Sequence, residues 1–258
     1  MHSKRLIVAV IVLPLLYLYI NYLHPIYFFV LILCASILAQ AEFYSMYRTD
    51  KSLRFIGTII GITCLVSIYL RPLVFKDILV IGISFFFVFR MLKGHTPSGS
   101  LTDISAAVIG VLYIPGLLCY QVLLRQMGKE NIFLLYASVW SADSLAYYVG
   151  KSIGRHKLYE AVSPKKTVEG AVGSLIGGMA GALLIRYIFP DLISTKESLL
   201  TGIILGGVSI IGDLVESMFK RDAGVKDSGV VFPGHGGILD KIDGALIAAP
   251  VLYILRNL

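Results

Sequence analysis

Apolar runs about twenty residues long follow one another along this 258-residue chain with only short polar breaks between them. An α-helix rises 1.5 Å per residue, so about 20 apolar residues cross the hydrocarbon core of a bilayer. Candidate spans fall at 5–23, 25–43, 54–70, 73–92, 101–124, 131–150, 170–189, 198–219 and 238–256. Composition agrees: 57% of the residues are hydrophobic, 15% are charged, and mean hydropathy is +0.80. Soluble domains sit near 45–50% apolar and 25% charged, so too few polar side chains are present to coat a globule. Disordered, fibrous and disulfide-scaffold classes are excluded on the same grounds. The expectation is an all-α polytopic membrane protein of about nine helices. It forms a single integral domain over 1–258, with a helical half over about 1–130 and a functional half over about 131–258.

The remaining sequence features fit that layout. Met1-His2-Ser3-Lys4-Arg5 and the apolar stretch behind it resemble a signal peptide, but the stretch runs on to about Leu23 with no small-residue cleavage site directly after it, so a retained first span is expected. Cys34, Cys64 and Cys119 all lie within apolar runs, as packing residues do. Pro25, Pro72 and Pro190 fall at span boundaries, whereas Pro14 and Pro115 lie inside spans and predict kinks. Lys and Arg divide fifteen against seven between the alternate sides if the N-terminus is cytoplasmic, which favours N-in. Both of the most polar loops, 150–169 and 220–237, then face the cytoplasm. The net charge of +7 suits anionic headgroups and phosphate-bearing substrates, not a nucleic-acid duplex.

From Asp143 onward the character changes. Asp143 interrupts an apolar helix, where a carboxylate is costly unless it is paired or bound to a cation. Ser163-Pro164-Lys165-Lys166-Thr167-Val168-Glu169-Gly170 marks a turn and then a helix start. Lys165 and Lys166 there suit phosphate oxygens or, alternatively, anchor to lipid headgroups, and Thr167 can serve simply as an N-cap. Asp213, Glu216, Ser217 and Lys220 form one polar stripe on a helix. The mixed-charge loop with Lys220-Arg221 and Lys226-Asp227 follows, then the turn Phe232-Pro233-Gly234-His235-Gly236-Gly237, whose backbone amides can face a phosphate. Asp240 and Asp243 open the next helix three residues apart. Hard carboxylate oxygens from Asp143, Asp213, Asp240 and Asp243 suit Mg²⁺. A Cys/His zinc cluster and a Walker loop are both missing from the sequence. His235 reads as a proton shuttle, a phosphate donor or a hydrogen-bonded turn residue.

The stretch from Ser217 through Lys220-Arg221, Lys226-Asp227 and Pro233-Gly234-His235-Gly236-Gly237 to Asp240-Lys241 and Asp243 closely resembles the C-terminal signature of the phosphatidate cytidylyltransferase (CDP-diacylglycerol synthase) family. The Asp143…Gly150-Lys151 segment and the Ser163–Gly170 segment resemble that family's upstream motifs in the same order. One departure stands at Lys241, where the family usually has Arg; the charge is kept and the bidentate fork is lost. The resemblance implies transfer of a cytidylyl group from CTP to phosphatidic acid with Mg²⁺, a second metal or monovalent ion remaining open, and a homodimer. It also implies an integral protein of a bacterial cytoplasmic membrane with its site toward the cytoplasm. Asp213 and Asp240 are the first-choice metal ligands and catalytic acids, Asp143 and Asp243 the next, with Lys220 and Arg221 beside them. Ser163, Lys165, Lys166, Thr167, Lys226, Asp227, His235, Gly236 and Gly237 are expected to meet CTP or phosphatidate. A CTP-dependent lipid kinase and an ion-coupled transporter are the alternatives.

Overall fold

The computed structural model describes residues 17–94, 96–229 and 236–258; most of the first expected span, with Pro14, and His235 lie outside them. Nine helices are described: α1 (Pro25–Met46), α2 (Lys51–Leu70), α3 (Phe75–Lys93), α4 (Ser100–Tyr113), α5 (Pro115–Met127), α6 (Lys129–Ile153), α7 (Val168–Ile188), α8 (Thr195–Asp222) and α9 (Leu239–Leu255). Seven segments among the described residues are long and apolar enough to cross a membrane; α4 and α5 form one of them. The 17-residue α9 adds a further apolar helix.

The expected span 101–124 corresponds to Ser100–Met127, and the kink expected at Pro115 divides it into two helices. Pro115 has no N–H to donate and occupies the first position of α5, and the chain turns at Ile114 between the two rods. The all-α expectation also needs one amendment. Loop 150–169 holds a small antiparallel hairpin, β1 (Lys157–Tyr159) with β2 (Ser163–Thr167), in which Lys157 pairs with Thr167 and Tyr159 with Ser163. Thr167 then caps α7, its hydroxyl accepting from Gly170 N at 3.1 Å.

Connections alternate, so one side of the bundle gathers the end of α1, the start of α2, the end of α6, the start of α7, the end of α8 and the start of α9. Asp50 caps α2 there and accepts from Lys93 Nζ at 2.7 Å, a bond that holds its carboxyl below the usual range. At the opposite side Arg256 donates to Asn131 Oδ1 at 3.0 Å. The two halves of the chain meet through an aromatic group. Phe43 and Tyr113 lie 5.4 and 5.2 Å, centroid to centroid, from the Phe219 ring, and Tyr47 Oη donates to Asp222 at 2.9 Å.

The functional half is drawn together by glycine. A Cβ on Gly202 would sit 2.6 Å from the Gly178 carbonyl oxygen, so α7 and α8 touch backbone to backbone. A Cβ on Gly212 would sit 3.0 Å from Gly244 Cα. Interfaces of small residues let membrane helices approach this closely, adding van der Waals contact where lipid supplies no hydrophobic drive.

Candidate active site

The Gly212–Gly244 crossing dictates the position of the acids. Asp213 follows Gly212 on α8 and Asp243 precedes Gly244 on α9, so contact between the glycines brings both carboxylates to one place. Glu216, one turn along α8 from Asp213, completes the group. Single oxygens of Asp213, Glu216 and Asp243 all lie within 4.8 Å of one another. Ser209, one turn before Asp213, donates to Asp143 Oδ1 at 2.8 Å and brings the α6 acid to the edge of the group. Asp213 lies nine residues before the end of α8, about 13 Å down its axis at 1.5 Å per residue. The cluster is therefore recessed into the bundle below the polar loops.

Two lysines face these acids. Lys166, carried on β2 of the hairpin, approaches Asp213 Oδ2 to 2.7 Å. Lys220, buried to 8% exposure, pairs with the fully buried Glu216 and reaches Asp240 Oδ1 at 2.6 Å. Asp240 is occupied on its other oxygen too, accepting from Ser228 N at 3.0 Å and Gly237 N at 2.7 Å. Asp240, expected as a first-choice metal ligand, thus sits beside the three-carboxylate group, linked to it through Lys220.

The hairpin is held over the site by Glu169, which accepts from Arg155 N at 3.1 Å and pairs with His156 Nδ1 at 2.7 Å. Arg221 braces it from α8, its Nε donating to the Val162 carbonyl at 3.3 Å. Lys165, Arg221, Lys226 and Asp227 are exposed around the rim, as is Lys241. Ser163 begins β2 and Thr167 serves as the α7 cap, so neither reaches the acids through a bond of its own. Gly236 has φ +83°, a backbone angle that glycine adopts without strain.

Two acids outside the expected set belong to this region. Glu216 was visible in the polar stripe on α8 but was not among the expected metal ligands. Glu42 on α1 gave the sequence no signal beyond being a lone acid in an apolar run. It is buried and accepts from Ile238 N, Leu239 N and Ser228 Oγ.

The donor set fits a divalent cation. The oxygens are hard carboxylates within one coordination sphere's reach, and Glu216 Oε1 has no hydrogen-bond partner among the described residues. Without positive charge, acids this close would repel one another strongly in a low-dielectric setting. Acids for a metal and lysines for phosphate oxygens, at the mouth of a membrane bundle, suit phosphoryl or nucleotidyl transfer.

Comparison with known proteins agrees. Phosphatidate cytidylyltransferase of Thermotoga maritima is 32% identical over 234 residues, covering 85% of this chain and 83% of that protein. Its counterpart in Synechocystis is 46% identical over 130 residues, 49% of this chain and 43% of that protein. The Bacillus subtilis phosphatidate cytidylyltransferase is 44% identical over 135 residues, covering 52% and 50%. In these last two the match spans about half the length of the relative or less. Residues 3–258 match the model of the cytidylyltransferase family, and this chain belongs to that family.

Proposed function

We propose that this protein is a phosphatidate cytidylyltransferase, converting CTP and phosphatidic acid into CDP-diacylglycerol and pyrophosphate. The observation that carries the reading is the recessed Asp213–Glu216–Asp243 group bracketed by Lys166 and Lys220, in a chain of the cytidylyltransferase family.

In the reaction a phosphate oxygen of phosphatidate forms a bond to the α-phosphorus of CTP. The bond from that phosphorus to the α,β-bridging oxygen breaks, and its electron pair leaves with pyrophosphate. The attacking phosphate is ionised near neutral pH, so no strong general base is required. Asp213 and Asp243, with Glu216 as a third oxygen, would hold Mg²⁺, which when bound would supply positive charge to the reacting phosphoryl group. Lys166 and Lys220 neutralise triphosphate oxygens from either side. Lys165, Arg221 and Lys226 at the rim attract the nucleotide and the lipid headgroup. Asp143, steadied by Ser209, borders the cation site, and Asp240 orients Lys220. Acyl chains stay among lipid while the headgroup enters between α6, α8 and α9.

The side of the bundle bearing the site also carries Arg48, Lys51, Arg54, Lys93 and Lys151. This bias supports a cytoplasmic site and an N-in orientation in a bacterial inner membrane.

The test incubates purified protein with phosphatidic acid, Mg²⁺ and CTP labelled separately at the α- and γ-phosphates. Label from the α position in the lipid is expected. Label from the γ position would instead mean a lipid kinase acting on CTP, and unlabelled lipid would refute group transfer altogether.

A further inference from the structure

The helix that carries Asp240 and Asp243 has no cap of its own. Its N-cap residue is Ile238, whose side chain makes no capping bond, yet the first backbone N–H groups of any helix need acceptors. Glu42 supplies them from α1, some 196 residues away in sequence. Its Oε1 accepts from Ile238 N at 2.9 Å and its Oε2 from Leu239 N at 3.0 Å. An ionised carboxylate is suited to that place, because it meets the positive end of the helix dipole.

The same carboxylate also reaches Ser228. Ser228 Oγ lies 3.0 Å from Glu42 Oε2 and 2.8 Å from Asp240 Oδ2, one hydroxyl between two carboxylates. Glu42 therefore contacts both Ser228 and the Ile238–Leu239 start of α9. Glu42 and Ser228 are 8% and 5% exposed. A carboxylate buried this far from water is costly unless donors surround it, and three donors do. Substitution at Gly237 would meet the Glu42 carboxyl directly, so the backbone there is closely fitted to it.

We propose that Glu42 is a positioning residue for the reaction. As a long-range cap it fixes the first turn of α9 and ties Ser228 to it, which keeps Asp240 on Lys220 and Asp243 beside Asp213. The N-terminal half then serves the chemistry as well as the membrane. The part concerning turnover rests on the proposed cytidylyl transfer; the capping of α9 does not.

The experiment compares wild type, Glu42→Gln and Glu42→Asp as full-length protein in detergent. Gln retains the length but turns an NH₂ group toward N–H donors; Asp retains the charge. The first readout is steady-state cytidylyl transfer. Glu42→Gln should lower kcat about tenfold or more, since small displacements of reacting groups cost that much, with the KM for phosphatidic acid little changed. Glu42→Asp should recover part of the loss. The second readout, without substrate, is the rate of tryptic cleavage after Lys226 and Lys241. It should rise about fivefold or more in Glu42→Gln, as local opening demands, while cleavage elsewhere stays at the wild-type rate. Wild-type turnover in Glu42→Gln, unchanged cleavage at the two lysines, or equal acceleration at every tryptic site would each overturn the proposal. Wild-type protein that leaves the lipid unlabelled refutes the proposed activity, and the cleavage rates then still decide whether Glu42 holds Ser228 and the start of α9 together.

Discussion

Replacing Lys220 by Met should destabilise the protein far more than removal of an ordinary surface lysine. Lys220 is buried, with its ammonium between Glu216, which has no solvent exposure, and Asp240 at 2.6 Å. Met keeps the length and apolar stem of the side chain but removes the charge, leaving Glu216 and Asp240 without the cation they share. Taking one partner out of a buried ion pair costs about 3–5 kcal/mol, mainly because the remaining charge is left without compensation. For a chain of this size each kcal/mol moves the midpoint of thermal unfolding by about 2–4 °C, so a fall of about 6–20 °C is expected. The assay is thermal unfolding in detergent without divalent cations, on Lys220→Met, Glu216→Gln and the double variant. Because Glu216→Gln removes the charge that Lys220 neutralises, the double variant should recover part of the loss. The coupling energy should be about 1 kcal/mol or more, as residues sharing one network show. A Lys220→Met midpoint within about 2 °C of wild type, or strictly additive effects, would refute the idea that this lysine neutralises a buried acidic pair.

Asp213→Asn and Asp243→Asn should each lower cytidylyl transfer by about a hundredfold or more, the scale of losing one electrostatic contributor to a transition state, while protein level and membrane insertion persist; radiolabelled turnover on purified variants checks this. Asp240→Asn should be comparably damaging, but by releasing Lys220, so its unfolding midpoint should fall as well, whereas that of Asp213→Asn should hold. Chelation with EDTA should abolish transfer and added Mg²⁺ should restore it. Lys241→Arg should leave kcat within about twofold of wild type, since the ammonium is exposed on the rim and charge is conserved.

The sequence disclosed the architecture wherever hydropathy alone decides it. Long apolar runs have little choice but to be helices in a bilayer, and the break at Pro115 follows from the missing N–H. The 157–167 hairpin was not legible. Its strands span only three and five residues, and a run such as Ser163-Pro164-Lys165-Lys166-Thr167 carries no hydrophobic alternation to mark it. It is held by tertiary contacts: Glu169 grips Arg155 and His156, and Arg221 reaches the Val162 carbonyl.

The site was legible by residue type and less so by role. Asp143, Asp213, Asp240 and Asp243 stood out because each is an acid in or at an apolar span close to a basic, glycine-rich loop. Spacing along one helix cannot say which acid of α8 faces which acid of α9, because that depends on how closely the rods cross. Here the crossing is set by Gly212 against Gly244, residues with no chemistry of their own, and it draws Asp213 and Asp243 together with Glu216 while Asp240, one turn nearer the loop, meets Lys220 instead. Glu42 was hidden for the same physical reason carried further: its partners are backbone N–H groups, and every sequence offers those everywhere. Which N–H lacks an acceptor is known only once Ile238 is found to begin a helix that it cannot cap. In a bundle like this one the glycines and the uncapped helix ends, rather than the charged residues themselves, determine what each acid does.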